Sequence, residues 1–295
     1  METTSCHLCP RQCQVDREKA VGYCTERAQI RIARAAPRYW EEPCISGTKG
    51  SGTIFFTGCN LKCVYCQNQE IAHSQVGKIV SAKKLYDICF SLQDLGVHNI
   101  NLVTATHFSA QLITILTKAK QDGLRIPIVY NCGGYESVES LQALEGLIDI
   151  YLPDFKYMSS TRAKKYSAAP DYPTVAKKAL SEMVRQTGKP VFDETHMMKR
   201  GTIVRHLVLP GGLLDSKCVL RYLHETYGNQ IYISIMSQYT PMPSCTVPEL
   251  TRKLTEREYE DIVQFALQQG ITQAFIQEGE AAKESFIPPF DLTGV

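Results

Sequence analysis

From about residue 52 the chain alternates short apolar runs with amphipathic stretches. The runs at 53–58 (TIFFTG), 99–106 (NINLVTAT), 126–133 (IPIVYNCG), 147–155 (LIDIYLPDF), 203–211 (IVRHLVLPG) and 230–237 (QIYISIMS) are candidate strands. A seventh candidate is 271–279 (ITQAFIQEG). Most are apolar at successive positions and rich in Val, Ile and Tyr, the texture of parallel strands that helices cover. Between them, SAKKLYDICFSLQDLG opens on Ser81 as an N-cap and stops at Gly96, and Ser109/Gly123 and Ser137/Gly146 repeat the punctuation. Longer helices are expected within 171–188 and 255–270.

This strand–helix repeat predicts an α/β fold, a partial (βα)6-type TIM barrel, with an open doubly wound sheet as the runner-up. In both, active groups belong at the C-terminal ends of the strands. Residues 1–50 lack the rhythm and are rich in Cys, Arg and Pro. They read as a small cysteine-rich metal-binding extension, followed by the barrel over 51–295.

Composition narrows the class. Of 295 residues, 44% are hydrophobic and 21% charged, which excludes a disordered chain, and a net charge of +2 gives no general reason to expect a nucleic-acid partner or a membrane surface. No window approaches the roughly 20 apolar residues of a membrane span. The opening METTSCHLCPRQC lacks the apolar core of a secretory signal. A cytoplasmic location is expected. There, grouped cysteines read as metal ligands or redox groups rather than disulfides, and this chain has twelve. Cys44, Cys89, Cys132, Cys218 and Cys245 stand apart and read as small buried apolar residues.

The remaining seven cysteines form two groups. Cys59, Cys63 and Cys66 are spaced C-x3-C-x2-C just after the first candidate strand. Zinc would need a fourth ligand, for which His73 is the near candidate; an iron–sulfur cube accepts three thiolates if another group takes the fourth iron. Cys6, Cys9, Cys13 and Cys24 are spaced C-x2-C-x3-C-x10-C, a four-ligand set for zinc or for a second iron–sulfur cluster, with His7 able to replace one thiolate.

Polar groups gather at successive strand ends: Thr104, Thr106 and His107; Asn131 with Gly133 and Gly134; Asp154 and Lys156; Arg205; and Ser237, Gln238 and Tyr239. His107 is a candidate substrate acid/base or an ordinary helix-start residue. His206 alternates with Arg205, so only one of the two faces the barrel interior. Tyr135, Glu136, Tyr157 and Tyr239 are candidates to line a substrate space or simply to pack the rim.

The trio, with Tyr65 before its last cysteine, resembles the signature of the radical S-adenosylmethionine superfamily. The resemblance implies a 4Fe–4S cluster on Cys59, Cys63 and Cys66, and S-adenosylmethionine on the open iron. Reductive cleavage then gives a 5′-deoxyadenosyl radical that abstracts hydrogen from a substrate. Nearly the whole chain is similar to the pyruvate formate-lyase-activating-enzyme-like group, in its poorly characterised iron–sulfur branch. PDFK matches that group's D-x-K, which implies cofactor contacts for Asp154 and Lys156. RHLVLPG is similar to its R-x-x-x-x-P-G segment and implies that Arg205 faces the cofactor carboxylate.

YNCGG sets Asn131 where those activases hold the amino group with an acidic residue. Their Gly-Gly-Glu is absent, and Thr104 and Thr106 stand there instead, uncharged. With Gln238, these complete the expected cofactor contacts. The implied partners are an electron donor such as flavodoxin or ferredoxin and a substrate that is a protein, a peptide or a small metabolite, including the glycine loop of a glycyl-radical enzyme. The rival readings are a zinc-organised non-catalytic binding protein on the same barrel, and a metal-dependent hydrolase, which seven histidines without an H-x-H or H-x-x-x-H pair disfavour.

Overall fold

The strand–helix repeat of the sequence is realised as one curved sheet. A computed structural model describes residues 5–277 and 287–295. Its strands are β1 Arg31–Arg38, β2 Ser51–Phe56, β3 Lys78–Ile79, β4 Ile100–Val103, β5 Ile128–Cys132, β6 Ile150–Pro153, β7 Val191–Phe192, β8 Met198–Leu207, β9 Tyr232–Met236 and β10 Ala274–Ile276. The spatial order is β10-β9-β8-β6-β5-β4-β2-β1-β3, with β7 paired to β8. The pairs from β2 through β4, β5, β6, β8 and β9 to β10 are all parallel, as in a partial barrel. All seven expected strands are present. Positions 278 and 279 of the last expected run lie outside the described residues.

Helices cover the outer face. Ser81 caps Ala82–Asp94 by accepting from the Lys84 amide, and Ser137 caps Val138–Ala143 in the same way. Ser109 departs from its expected role. A 3-10 turn over Thr106–Phe108 runs straight into the helix Ser109–Gln121, so Phe108 holds the cap position and Ser109 is already helical. The long helices are Tyr172–Thr187 and Glu256–Gln268.

Strand periodicity decides which side chains face the lumen. Tyr130 and Cys132 of β5 and Tyr151 of β6 pack with Leu85, Leu112 and Leu116 of the covering helices. Their neighbours Val129, Ile150 and Leu152 pack instead with Ile203 of β8. By the period of two, Asn131, Asp154 and Arg205 belong to that inner face. His206 accordingly turns outward and is buried, with Nδ1 2.8 Å from the Phe155 carbonyl oxygen. His107 is buried too, its Nε2 2.7 Å from the Thr57 carbonyl oxygen.

The first fifty residues, which lack the repeat, also contain a strand. β1 pairs antiparallel with β2 and with β3. Its sequence RIARAAPR hides the strand, because arginines occupy positions an apolar pattern would fill. The segment then enters the barrel. Cys44 and Ile45 of the short helix Pro43–Ser46 pack on Val129, Ile150, Leu152 and Ile203, filling the lumen with apolar atoms.

Two stability predictions follow from this packing. Thr255 and Glu258 form a reciprocal capping box on Glu256–Gln268, so Thr255→Ala should lower unfolding free energy by about 1 kcal/mol in chemical denaturation. Burial pushes His107 down to about 3 and His206 down to about 4. Below about pH 6.5 the unfolded chain therefore takes protons that the folded chain refuses. The contribution of these two histidines is full above that pH and falls as pH drops toward the folded values. Between about pH 7 and 5.5, each histidine should cost roughly 1 kcal/mol. Denaturation curves at the two pH values check this: relative to wild type, replacing either histidine by glutamine should remove roughly 1 kcal/mol of acid destabilisation, while Glu136, lifted by burial to about 7, acts in the opposite direction in both proteins.

Candidate active site

The loop after β2 carries Cys59, Cys63 and Cys66 at the C-terminal end of the sheet. Its backbone turns tightly: the Cys66 amide donates to the Cys63 carbonyl at 3.1 Å, and the Leu61 amide lies 3.4 Å from Cys59 Sγ. Burial pushes the Cys59 thiol up to about 12 and raises Cys66 as well. Buried thiols without a cation to share are poor acids; a bound metal reverses that balance and takes them as thiolates.

Beside the loop the strand ends bring charges together. Lys156 Nζ lies 2.6 Å from Asp154 Oδ2, and Arg205 Nε 3.0 Å from Asp154 Oδ1. Arg205 also donates to Asn131 Oδ1 at 2.5 Å and to Glu41 Oε2 at 3.2 Å. Burial alone would raise the Asp154 carboxyl, but Lys156 and Arg205 outweigh it and hold it below its ordinary value. Burial opposes the charge on Lys156, and Asp154 with Cys63 more than restores it, so its pKa is raised. Arg38 joins through Glu41 Oε1 at 3.5 Å, so a network of three cations, two carboxylates and one amide stands beside the cysteine loop.

Asn131, Asp154, Lys156 and Arg205 therefore converge, as their strand-end positions predict. Gln238 stands next to the loop: its carbonyl accepts from Gln67 Nε2 at 2.9 Å, and its Oε1 from Gln277 Nε2 at 3.2 Å. Thr104 is held at the strand end, with φ 59° and its amide on the Asn131 carbonyl at 2.9 Å. Thr106 and His107 do not join the network. Thr106 Oγ1 donates to Glu136 Oε1 at 2.8 Å, and Tyr130 OH to Glu136 Oε2 at 3.1 Å, on the helix-covered side. There burial lifts the Glu136 carboxyl to about 7 against the pull of those two hydroxyls. His107, packed on Thr57 and Phe108 with its pKa driven down by burial, is placed as a core residue rather than an acid/base at the mouth.

Gly134 permits a close approach between two strand ends. With φ 75°, a Cβ there would lie 2.1 Å from the Asp154 carbonyl oxygen, so its bareness seats β5 against β6. Gly133 leaves space beside the loop: its Cβ would meet Leu61 Cδ1 at 3.0 Å and Lys156 Cε at 3.7 Å.

The N-terminal cysteines are drawn together by a knuckle. The Cys6 amide donates to Val15 O and the Gln14 amide to Cys6 O, both at 3.1 Å, while the Gln12 amide donates to Cys9 O at 3.0 Å. Gln12 and Gln14 take positive φ of 40° and 54° to make that turn. A Cβ on Gly22 would sit 3.3 Å from Cys24 Sγ and 3.5 Å from Cys13 Sγ, a cradle between two thiols that glycine leaves open. Burial, with the charges of Glu136, Cys24 and Cys6 adding to it, pushes Cys9 up to about 12. Among the described residues no three histidine, cysteine or carboxylate side chains close round a single ion. A cube takes one thiolate per iron corner, so its cysteines stand farther apart than the ligands of one zinc.

This knuckle is docked on the loop of the trio. The Cys59 amide donates to the Cys24 carbonyl at 3.2 Å. Arg11, between Cys9 and Cys13, donates from Nε to Asn60 O at 2.8 Å, from Nη1 to Ala168 O at 2.6 Å and from Nη2 to Ser167 O at 3.3 Å. Arg11, Glu41 and Gln67 are site residues that the sequence reading missed. Gln67 follows the trio directly and was open to inference; Arg11 and Glu41 come from the segment that showed no strand–helix rhythm.

Comparison with known proteins bears on the family and the fold. Residues 53–203 match the sequence model of the radical SAM superfamily. An uncharacterised protein of Methanocaldococcus jannaschii is 27% identical over 271 residues, covering 89% of this chain and 74% of that protein. Among solved structures, SuiB of Streptococcus suis bound to S-adenosylmethionine superposes with a TM-score of 0.53 at 13% identity, over 76% of this chain and 49% of that one. A radical SAM methyltransferase from Sphaerobacter thermophilus gives 0.52 at 11% identity, over 78% and 67%. The FeFe-hydrogenase maturase HydG from Carboxydothermus hydrogenoformans gives 0.52 at 14%, over 80% and 56%. The chain spans about half the length of SuiB. At these identities the structures show a shared fold. The family match covers just over half of the chain: this protein belongs to the radical SAM superfamily.

Proposed function

We propose that Cys59, Cys63 and Cys66 hold the 4Fe–4S cluster of the superfamily, and that Asn131, Asp154, Lys156 and Arg205 bind S-adenosylmethionine beside it. The observation that carries this reading is the charged network on the strand ends, beside the cysteine loop. When bound, such a cluster supplies an open iron and one electron, and cleavage of the sulfonium yields methionine and a 5′-deoxyadenosyl radical that abstracts hydrogen. The chain's own part is binding and orientation. Arg205 and Lys156 offer cations to the carboxylate of the cofactor, and Asp154 and Asn131 offer acceptors to its amino group. Because these groups already pair with one another, a zwitterion exchanges contacts of both signs instead of desolvating unpaired charges.

The activating-enzyme-like type belongs to the same proposal and rests on the spacing Asp154-x-Lys156 and Arg205-x4-Pro210-Gly211. The substrate is then a protein or peptide segment presented at the mouth, and the electron comes from a protein donor such as flavodoxin or ferredoxin. Cys6, Cys9, Cys13 and Cys24 hold a second metal, zinc or iron–sulfur, supported by the Gly22 cradle and by the knuckle turns. No described helix is long and apolar enough to cross a membrane.

Metal analysis tests both centres. Anaerobically purified protein should carry at least about four irons with matching sulfide. In a Cys6→Ala/Cys9→Ala variant, loss of zinc with iron unchanged makes the N-terminal site zinc; a fall from about eight irons to four makes it a cluster. Zinc without iron, even after reconstitution, would establish the zinc-organised binding protein instead. For the cofactor site, Arg205→Met and Asp154→Asn should each weaken S-adenosylmethionine binding roughly tenfold to a hundredfold, the worth of a charge-assisted hydrogen bond. Equilibrium binding that either variant leaves unchanged would refute the assignment.

A further inference from the structure

One buried chain of hydroxyls ends on the cysteine trio. Ser167 Oγ lies 3.0 Å from Cys63 Sγ, Tyr157 OH 2.8 Å from Ser167 Oγ, and Tyr65 OH 2.5 Å from Tyr157 OH. Cys63, Ser167, Tyr157 and Tyr65 are 8%, 0%, 1% and 6% exposed, so water does not compete with any link. Geometry alone leaves the direction of each bond open. Ligation removes the ambiguity, because a thiolate has no proton and can only accept.

Ser167 must then donate to Cys63, which leaves its oxygen to accept from Tyr157, whose oxygen accepts in turn from Tyr65. Every O–H dipole points toward the sulfur, and each bond polarises the next. Reduction of a cluster adds negative charge that its cysteine sulfurs share, so donors aimed at a sulfur favour the reduced form.

The position of Ser167 is imposed from three sides. It ends the helix Ser160–Ser167, where Ala168 turns the chain with φ 50°. Its carbonyl accepts from Arg11 Nη2 at 3.3 Å and from the Lys62 amide at 3.4 Å, and the Val64 amide donates to the neighbouring Tyr166 carbonyl at 2.9 Å. The helix end is thereby stitched to the cysteine loop itself. Tyr157 is fixed by edge-on packing against Tyr166 and Tyr172, with ring centroids 6.0 and 5.5 Å away. None of these contacts is needed to satisfy the cysteine, since a free thiol tolerates burial unbonded.

We propose that the Tyr65–Tyr157–Ser167 chain sets the reduction potential of the cluster through its Cys63 corner. Ser167 is a positioning and tuning residue rather than a catalytic one: it touches a ligand and acts through it. This inference rests on the assignment of the cluster to Cys59, Cys63 and Cys66, and its test separates the two.

Iron and sulfide are first counted in wild type, Ser167→Ala, Ser167→Thr and Tyr157→Phe. Potentials are then read by electron paramagnetic resonance during stepwise anaerobic reduction, without added S-adenosylmethionine. Expected are unchanged iron in all four and a cluster about tenfold harder to reduce in Ser167→Ala, which is about 59 mV for a one-electron couple. Tyr157→Phe should shift the potential the same way by less, since it removes only the polarising neighbour, and Ser167→Thr should stay near wild type because it keeps the hydroxyl. Tyr157→Phe is isosteric and serves as the independent arm should Ser167→Ala lose its fold. A Ser167→Ala or Tyr157→Phe potential equal to wild type at full iron content would overturn the tuning role while leaving the cluster assignment intact. Absence of iron from the wild type would overturn both.

Discussion

The site depends on one carboxylate. Asp154 lies between Lys156 and Arg205, and Arg205 in turn reaches Asn131 and Glu41. With Arg38 ion-paired to Glu41 at 3.5 Å and Glu42 beside Arg205, three positive and three acidic side chains are thus enclosed in near balance. Each is expensive to bury alone, and removing one partner from such a set commonly costs 3–5 kcal/mol, because it strands another. The balance lets a set of charges persist at the mouth of a barrel whose lower lumen is apolar. It also suits a ligand that carries both signs, since neither half of a zwitterion needs a counter-ion brought from solvent.

The parallel strands provide the places and the first fifty residues complete them. β1 widens the sheet beside β2, and the turn after it delivers Glu41 to Arg205 and Ile45 to the lumen. The cysteine knuckle before β1 leans on the loop of Cys59, Cys63 and Cys66 through the Cys24 carbonyl, and Arg11 clamps that loop to the helix end at Ser167. The knuckle is thereby mechanically continuous with the loop of Cys59 and Cys63. A partial barrel lacks the closure that stiffens a complete one, and these added contacts supply rigidity where the cysteines need it.

Two strand-end histidines illustrate why proximity in sequence is a weak guide to a site. His107 and His206 follow or flank residues expected to bind cofactor, yet both bond backbone carbonyls on the helix-covered side. Thr106 turns to that side too, donating to the Glu136 carboxylate. In each case the period of two, or the turn that follows the strand, rotates a polar side chain away from the lumen. Glu136 lies near the polar groups expected at the site, but its carboxylate serves the seam between sheet, helices and knuckle.

What the sequence determined by itself is what local chemistry governs. The apolar runs and their helix caps gave the order of strands and helices, since side-chain period and capping act over a few residues. The spacing of Cys59, Cys63 and Cys66 marked the trio as a group, because one short loop carries all three. β1 escaped, as its arginines break the apolar pattern while pairing and tertiary contacts hold the strand. Only the tertiary structure decided which polar groups meet. Arg205 finds Glu41 across 164 positions and Asn131 across 74; Cys63 finds Ser167 across 104. No periodicity encodes such encounters: they follow from the curvature of the sheet and the register of its strands, which set the facing of every strand end at once.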